Sequence, residues 1–307
     1  MSGRLVPGVA SETKLRLVSW NVHGAPGAPR RYERMATMAR VVTARRPDVV
    51  LLQEVWRQRD AETFIEALVS AGYASVEVPG GGRWPLRTSG LLSFVRSAAG
   101  WRADAPLFHE FRAEAGDWKL WQGDGFGDKG ALSFSLVRDG LSLAVWNTHL
   151  QAAYMPGGYA EIRRKQLIEL RGAIEADGDR AALVAGDLNT TPDEAAFAEL
   201  AGLQELSAAL RESCACGTSV EMPPSKQWLD YLFAKTSAGW RITADVSLIR
   251  SLAPDVPYSD HHGLDASVRV ARPKSEAALA WLAAVRLAAP TTRRELLANA
   301  ALLLLGR

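Results

Sequence analysis

The sequence is poor in cysteine, in net charge and in long apolar runs, and each shortage excludes a class of protein. Its 307 residues include two cysteines, Cys214 and Cys216, too few and too close for a disulfide framework. We interpret them as ordinary thiols in a loop. The 36 basic and 34 acidic residues leave a net charge of +2, so bulk attraction to nucleic acid or to an anionic membrane cannot drive binding.

Two further absences concern location. No uncharged apolar run reaches the roughly 18 residues of a transmembrane helix. The first twenty residues lack the apolar core and small-residue cleavage site of a secretion signal. Together with the cysteine usage, these absences predict a soluble protein in a reducing cytoplasm.

The sequence does contain an alternation of short β-rich runs and helical stretches, which predicts a mixed α/β domain. The dipeptide Asp139-Gly140 is typical of a two-residue hairpin, and Asp60 is expected to cap a helix. Strands are expected over 15–20, 49–52, 131–137, 141–145, 181–185, 228–234, 242–249 and 264–270, and helices over about 32–42, 60–68 and 159–176.

The chain divides into an N-terminal extension (1–14), a main domain (15–272) and a C-terminal appendage (273–307). The appendage carries two Ala/Leu-rich helix candidates, 275–287 and 293–305, separated by Pro290. Each is too short to span a bilayer. Two interpretations stay open: a helix that binds a membrane surface or a partner, or an amphipathic pair packed on the domain, which we favour.

Polar side chains gather at the ends of the predicted apolar strands, where ligands and catalytic groups collect in α/β sheets. Oxygen ligands from separate strands suit Mg²⁺, and neighbouring histidines suit charge stabilisation or proton transfer. The pattern therefore indicates metal-assisted hydrolysis of a phosphate ester. The residues concerned are Asn21, Gln53-Glu54, Asn147-Thr148-His149, Asp187-Leu188-Asn189 and Asp260-His261.

Six motifs in one order resemble the endonuclease/exonuclease/phosphatase superfamily over about residues 15 to 270. The resemblance implies a four-layer α/β sandwich of two mixed β-sheets flanked by helices. The motifs are Ser19-Trp20-Asn21, Leu52-Gln53-Glu54-Val55, Asn147-Thr148-His149-Leu150, Gly186-Asp187-Leu188-Asn189, Leu229-Asp230-Tyr231-Leu232-Phe233 and Ser259-Asp260-His261.

The resemblance also implies a role for each matching residue. Glu54 is the principal metal ligand, with Asn21 and Asp260 beside it, and the cofactor is Mg²⁺, with Mn²⁺ as an alternative. Asp187 orients or deprotonates the attacking water, and Asn189 steadies the transition state. His261 contacts the scissile phosphate and Asp230 orients it. His149 is a second acid or phosphate contact, whose partner carboxylate stays open, with Glu77 as one candidate.

Lys129 points to one branch of the superfamily. The run Phe126-Gly127-Asp128-Lys129-Gly130 is similar to the Lys-Gly segment of neutral sphingomyelinases, and Lys129 could neutralise a phosphodiester oxygen. The alternative is a solvated lysine in a hairpin loop. The segment 79–126, rich in tryptophan and arginine, suits a lipid headgroup interface or base stacking, although most of its rings are expected in the core.

These features favour a phosphodiesterase of sphingomyelinase or phospholipase C type, acting on phospholipid headgroups rather than nucleic acid, with peripheral membrane contact. The alternatives are a nuclease, a phosphomonoesterase and an inactive binding module. The pairs Arg30-Arg31 and Arg45-Arg46 and the run Arg163-Arg164-Lys165 keep the nuclease alternative open. His23 and His109 are interpreted as surface histidines, His109 in a loop.

Overall fold

The chain folds into two six-stranded β-sheets flanked by helices, in a computed structural model that describes residues 12–25, 27–79, 89–114, 128–154, 158–220, 226–236, 240–250 and 258–271. From edge to edge, the first sheet consists of the strands Arg241–Ile249, Gly263–Ala271, Glu12–Asn21, Val49–Gln53, Leu92–Arg96 and Tyr73–Glu77. The second consists of Arg102–Glu110, Gly130–Arg138, Leu141–His149, Ala182–Asp187, Asp230–Lys235 and Gln204–Glu205. Both sheets mix parallel and antiparallel pairs. The predicted four-layer α/β sandwich is confirmed.

Every strand and helix predicted within the described residues is present, most with slightly longer bounds. The strands are β1 (Glu12–Asn21), β2 (Val49–Gln53), β3 (Tyr73–Glu77), β4 (Leu92–Arg96), β5 (Arg102–Glu110), β6 (Gly130–Arg138), β7 (Leu141–His149), β8 (Ala182–Asp187), β9 (Gln204–Glu205), β10 (Asp230–Lys235), β11 (Arg241–Ile249) and β12 (Gly263–Ala271). The helices are α1 (Arg31–Arg45), α2 (Gln58–Ser70), α3 (Ala160–Ala176) and α4 (Ala208–Ser213), with short 3-10 turns at Ser97–Ala99 and Ala195–Leu200.

Strand β2 shows how the layers are built. Its residues alternate between two faces, as the pleat requires. Val49 and Leu51 pack in the core between the two sheets, whereas Val50 and Leu52 pack against the helices on the outer face. Burial on both faces explains why this strand is a continuous apolar run in the sequence.

One parallel pair lies inside each sheet, and both pairs bring functional motifs together. β1 pairs with β2 so that Asn21 lies opposite Gln53, and β7 pairs with β8 so that His149 lies opposite Asp187. Parallel strands end at the same edge of a sheet, so the four motif-bearing strand ends meet at one edge of the sandwich.

Three local expectations are wrong. Asp60 makes no capping hydrogen bond, since α2 follows Arg57 and the buried Asp60 carboxylate instead pairs with Arg31, 3.1 Å away. His109 lies in strand β5, not in a loop, where its Nε2 is 2.9 Å from the Ser133 hydroxyl. Strands β3, β4, β5 and β9 are additional to those expected.

The two cysteines are also not free thiols. Cys214 and Cys216 form a disulfide, with their Cα atoms 5.1 Å apart. Cys214 has extended backbone angles just after α4, and residues two apart in an extended chain project to the same side. The pair therefore gives no support to the expectation of a reducing compartment.

Several expectations fall on residues outside the described ranges. They include both C-terminal helix candidates and the extension up to residue 11. In the segment 79–126, Trp101 and Phe111 are buried in the core, whereas Trp84, Trp118, Trp121 and Phe126 lie outside the described ranges. Across the described part of the chain, no helix combines the length and apolarity needed to cross a bilayer.

Candidate active site

The site is built where the two sheets meet at the edge described above. Each sheet contributes the ends of its parallel pair and the start of an antiparallel neighbour. β1 and β2 supply Asn21 and Glu54, β7 and β8 supply His149 and Asp187, and the starts of β10 and β12 supply Asp230 and the segment that precedes Gly263. Side chains far apart in the sequence are thus held by rigid strands.

Asn21 joins the two halves of the site. Its side-chain Nδ2 donates to Glu54 Oε1 at 3.0 Å and to Asp187 Oδ2 at 2.9 Å, so one amide bridges a carboxylate from each sheet. The Asn21 side chain is fully buried, and its Oδ1 accepts the backbone N–H of His23 at 3.0 Å. Asn21 therefore fixes the spacing between Glu54 and Asp187.

Asp187 is held from several directions. Its Oδ1 accepts the backbone N–H of Asn189 at 2.9 Å, which closes a tight turn with Asn189 in the left-handed region, at φ 48°. The Asn189 Nδ2 donates to the Leu150 carbonyl at 3.1 Å. The turn thereby binds the end of β8 to the end of β7.

His261 forms a charge-paired dyad with Asp230. Its Nδ1 lies 2.7 Å from Asp230 Oδ2, and its Nε2 lies 3.7 Å from Asp187 Oδ2. Thr218 supports Asp230, because its hydroxyl oxygen accepts the backbone N–H groups of Leu229 and Asp230 at 2.9 and 3.1 Å. The predicted pairing of His261 with Asp230 is present in the geometry.

His149 occupies the opposite sheet together with Lys129. Its Nε2 is 3.6 Å from Asp187 Oδ2 and 4.0 Å from Glu54 Oε1, so these are the carboxylates beside it, whereas Glu77 lies on strand β3. The Lys129 Nζ is 3.3 Å from His149 Nδ1. Lys129 is 2% exposed, which overturns the alternative of a solvated lysine.

Asp260 lies at the more open side of the site. Its Oδ1 accepts from the Ser259 hydroxyl at 3.1 Å, and its Oδ2 is 3.5 Å from His23 Nε2. The single hydroxyl hydrogen of Ser259 is shared with the Asn21 carbonyl, which is closer at 2.7 Å, and this contact ties the loop to the end of β1. His23, interpreted from sequence as a surface histidine, is therefore a neighbour of the site.

The surroundings shift the pKa values of the site residues in different directions. Burial, followed by the negative charge of Asp260, raises the pKa of Glu54 to about 7. Burial also raises the pKa of Asp187. Burial and then the Lys129 charge hold the pKa of His149 well below its usual range. Burial alone would lower the pKa of His261, but Asp230 and Asp187 outweigh it and raise that pKa well above its usual range.

Two residues of the site were missed by sequence reasoning. Trp56 is 3% exposed and packs beside both Lys129, at 5.6 Å from Nζ to the ring centroid, and His149, at 6.2 Å between centroids. Its place two residues after Glu54 was a usable signal. Thr218 gave no signal, because it lies outside the six motifs and contacts the site only through backbone groups, those of Leu229 and Asp230 and the His262 N–H.

The donor groups around Glu54 fit a hard divalent cation. Glu54 and Asp260 offer oxygen atoms, whereas the Asn21 amide, predicted as a further ligand, directs its Nδ2 at Glu54 and its Oδ1 at the His23 N–H. The raised pKa of Glu54 reflects burial and like-charge repulsion that a cation would relieve. A second group, Asp187, Asp230 and His261, has potential ligand atoms within 4.8 Å of one another. There the His261 Nδ1 already bonds Asp230, so Mg²⁺, which prefers oxygen, fits the Glu54 side better.

Comparison with known proteins gives a consistent result. Residues 18–261 match the model of the Endonuclease/Exonuclease/phosphatase family. A curated relative described as "Putative neutral sphingomyelinase" from Drosophila melanogaster is 26% identical over 193 residues, 60% of this chain. The match spans 41% of that relative, well under two thirds of its length.

Solved structures share the fold. D. rerio TDP2, in a complex with a single-strand DNA product, matches with a TM-score of 0.66 and 19% identity, covering 83% of this chain and 99% of that one. Beta toxin from Staphylococcus aureus with bound magnesium ions matches with a TM-score of 0.62 and 18% identity, again over 83% and 99% of the two chains. Because both identities are below 25%, these two matches show a shared fold and nothing more.

Proposed function

We propose that this chain, which belongs to the endonuclease/exonuclease/phosphatase family, is a Mg²⁺-dependent phosphodiesterase of sphingomyelinase or phospholipase C type. Members of the family are phosphoric ester hydrolases that depend on divalent metal ions. The observation that carries the phosphodiesterase proposal is the bridge from Asn21 to Glu54 and Asp187, which holds a metal-ligand candidate and a base candidate together across the two sheets.

The preference for a choline-type phospholipid rests on Lys129. A buried lysine beside His149 and Trp56 supplies positive charge at the second-sheet side of the site, where it suits a phosphodiester oxygen. The relative described as a neutral sphingomyelinase supports the same choice. A nuclease remains the alternative, since one structure with the same fold was solved with a DNA product.

Substrate phosphate is expected to lie between the two histidines. His261, protonated and oriented by Asp230, donates from Nε2 to a non-bridging phosphate oxygen. Asn189 has one amide hydrogen engaged with Leu150, and in the described part of the chain its other amide hydrogen has no partner, so it can donate to the same developing charge. These donors stabilise the additional negative charge of the transition state.

Proton transfer belongs to Asp187 and His149. Asp187 orients the attacking water through Oδ2, which both histidines and Asn21 approach, and accepts its proton. His149 is neutral in the resting site because its pKa is lowered. It therefore first takes the water proton from Asp187 Oδ2, 3.6 Å from its Nε2, and then donates that proton to the leaving oxygen as the P–O bond breaks. Mg²⁺ would be held by Glu54 and Asp260, with Asn21 positioning Glu54, and would polarise the phosphate and lower the pKa of bound water.

The first experiment is a hydrolysis assay with three substrates: sphingomyelin or phosphatidylcholine vesicles, plasmid DNA and a soluble phosphomonoester. With Mg²⁺ present we expect release of phosphocholine, which EDTA abolishes. Nicking of the plasmid without release of phosphocholine would replace the lipid proposal with the nuclease alternative. No metal-dependent hydrolysis of any of the three would contradict the phosphodiesterase proposal.

Active-site variants then test the assigned roles. We expect Glu54→Ala, Asp187→Ala and His261→Ala each to lose about a hundredfold or more of kcat, as for a ligand, a base and an electrostatic stabiliser. His109→Gln, which changes a histidine in β5 outside the site, is the matched control and should stay within about two-fold. Near-normal turnover of Asp187→Ala or His261→Ala would refute the mechanism.

A further inference from the structure

A cationic and aromatic surface lies where helices α1 and α2 begin. Tyr32, in the first turn of α1, is 50% exposed. The guanidinium carbons of Arg31 and Arg59 each lie 4.9 Å from the centroid of its ring. Arg57 precedes the first residue of α2, and Arg59 is its second residue and exposed. We call Tyr32, Arg57 and Arg59 the Tyr32 surface.

The positive charge of this surface is not neutralised locally. Arg31 pairs with Asp60, and Arg30 pairs with Glu33 at 2.6 Å. Arg57 and Arg59, by contrast, make no ion pair with a carboxylate among the described residues, and the buried Nε of Arg57 has no hydrogen-bond partner there. Arg59 therefore leaves one unpaired positive charge beside an exposed tyrosine ring, and Arg57 adds a second two residues earlier in the chain.

In the two other basic runs, three of the five residues are engaged, whereas Arg46 and Lys165 are exposed and have no ion pair among the described residues. Arg45 pairs with Asp265 at 3.0 Å, Arg163 with Glu194 at 2.7 Å, and Arg164 with Glu161 at 2.9 Å. Because these guanidinium groups already have acidic partners, they are poorer candidates for an external anion. In a chain with a net charge of only +2, the Tyr32 surface is a local patch of excess positive charge.

This surface is attached to two loops of the active site. Arg57 is three residues beyond Glu54. Helix α1 is fixed to the segment after Asn21, because the buried Arg34 donates to the carbonyl oxygens of Val22 and His23 at 3.0 and 2.8 Å. The buried Arg31–Asp60 pair joins the first turns of the two helices. An anion bound here is therefore positioned relative to the metal side of the site.

An anionic membrane surface fits the Tyr32 surface better than a nucleobase does. Two guanidinium groups already contact the Tyr32 ring, so a nucleobase would compete with them for stacking on it. Exposed tyrosine next to arginine suits the headgroup level of a bilayer, where the ring has one apolar and one wet side. Arginines beside it suit lipid phosphates.

From these contacts we propose that the Tyr32 surface binds anionic phospholipid headgroups and places the active site against the membrane. This proposal adds a membrane-binding surface to the proposed lipid phosphodiesterase activity, and its role in the cell rests on that activity. Binding itself requires only the charges and the ring of this surface. It can therefore be measured without turnover.

The test is vesicle sedimentation of the full chain in EDTA, so that hydrolysis does not contribute. Vesicles of phosphatidylcholine with and without phosphatidylserine are compared. We expect binding to the phosphatidylserine vesicles that falls about 25-fold in Arg59→Glu, since each unit charge near the surface contributes about five-fold. Tyr32→Ser, which keeps the charge, should also weaken binding.

Arg40→Glu is the matched control, because it reverses the charge of an exposed arginine farther along α1. We expect it to bind within about two-fold of the unchanged chain. The proposal is overturned if the chain does not sediment with phosphatidylserine vesicles, or if Arg40→Glu and Arg59→Glu lose binding equally. It is also overturned if Arg59→Glu weakens binding of a labelled single-stranded oligonucleotide and leaves vesicle binding intact. Phosphocholine release, assayed separately, reports on the proposed activity alone.

Discussion

His149 and His261 approach the same carboxylate oxygen of Asp187, at 3.6 and 3.7 Å, yet their surroundings favour opposite protonation states. Burial and then the Lys129 ammonium lower the pKa of His149 and keep it neutral, whereas Asp230, at 2.7 Å, outweighs burial and keeps His261 charged. Environments that separate two similar groups in this way assign acid and base roles. The residue type alone predicts neither state, because each depends on partners distant in the sequence.

At the same scale, metal affinity should depend on pH through Glu54. Burial and the neighbouring Asp260 raise the pKa of this carboxyl to about 7, and a carboxylate must lose its proton before it binds a metal. Affinity for Mg²⁺ or Mn²⁺ should therefore rise between pH 6 and pH 8, by up to about tenfold per pH unit below pH 7, and then level off. Calorimetric titration at pH 6, 7 and 8 measures this change.

The same titration shows whether Glu54 is responsible. Metal binding at pH 6.5 should release a proton, detected as a dependence of the measured enthalpy on the ionisation enthalpy of the buffer. Asp245→Asn, an exposed carboxyl on β11 paired with Arg269, is the control and should not alter the release. Affinity that is constant from pH 6 to pH 8 would contradict the raised pKa of Glu54.

At the scale of elements, the sequence predicted those strands whose ends carry function. β2 and β8 are buried on both faces, so each is a short apolar run that a polar motif terminates. Two parallel strands that pair end at the same edge of the sheet, so their motifs lie side by side. The local sequence pattern does not, however, predict which strands pair. The bridge from Asn21 to Asp187 joins different sheets, and no spacing in the sequence indicates it.

The elements that were missed have weaker local signals. β5 is an edge strand with mostly exposed or half-buried residues and an irregular register between Asp104 and Leu107, so it lacks a clean alternation. Asp60 has the usual residue type for a cap, but tertiary pairing with Arg31 outweighs that preference. The four-layer fold was predicted from the ordered motifs; these exceptions depend on contacts made across the chain.

Gly186, the residue before Asp187 in β8, is the position where strand packing most directly sets the geometry of the site. Its φ is 151°, and a Cβ there would overlap the carbonyl oxygen of Thr148 on the neighbouring strand. Gly186→Ala should therefore separate β7 from β8 next to Asp187, lower the free energy of unfolding by at least about 2 kcal/mol and reduce kcat. Urea denaturation and the hydrolysis assay measure the two effects.

Gly172 provides the matched comparison. It lies inside α3, and a Cβ added there meets no atom within 4 Å. Gly172→Ala should raise the free energy of unfolding by about 0.5–1 kcal/mol, because alanine has less conformational freedom to lose in a helix. Equal stability of the two variants would show that the close approach of β7 and β8 at Gly186 is not required.

At the scale of the whole molecule, the site works only if the two sheets keep a fixed separation. A buried polar bridge crosses the core directly behind the catalytic edge. Gln53 Nε2 donates to Asn147 Oδ1 at 2.7 Å, and Asn147 Nδ2 donates to the Leu52 carbonyl at 3.0 Å and to Ser93 Oγ at 3.1 Å. Gln53 comes directly before Glu54, and Asn147 comes two residues before His149.

This bridge should couple stability to catalysis across the sandwich. Asn147→Ala leaves buried donors and acceptors without partners and should lower the free energy of unfolding by about 1–3 kcal/mol. A shift of about 1 Å between the sheets can reduce turnover by about a hundredfold, so kcat should fall although residue 147 does not touch the substrate.

In a double-mutant cycle, the effects of Gln53→Ala and Asn147→Ala should be less than additive, because each removes the same contact. Strict additivity in both unfolding and kcat would mean that the sheets are aligned by their apolar core alone.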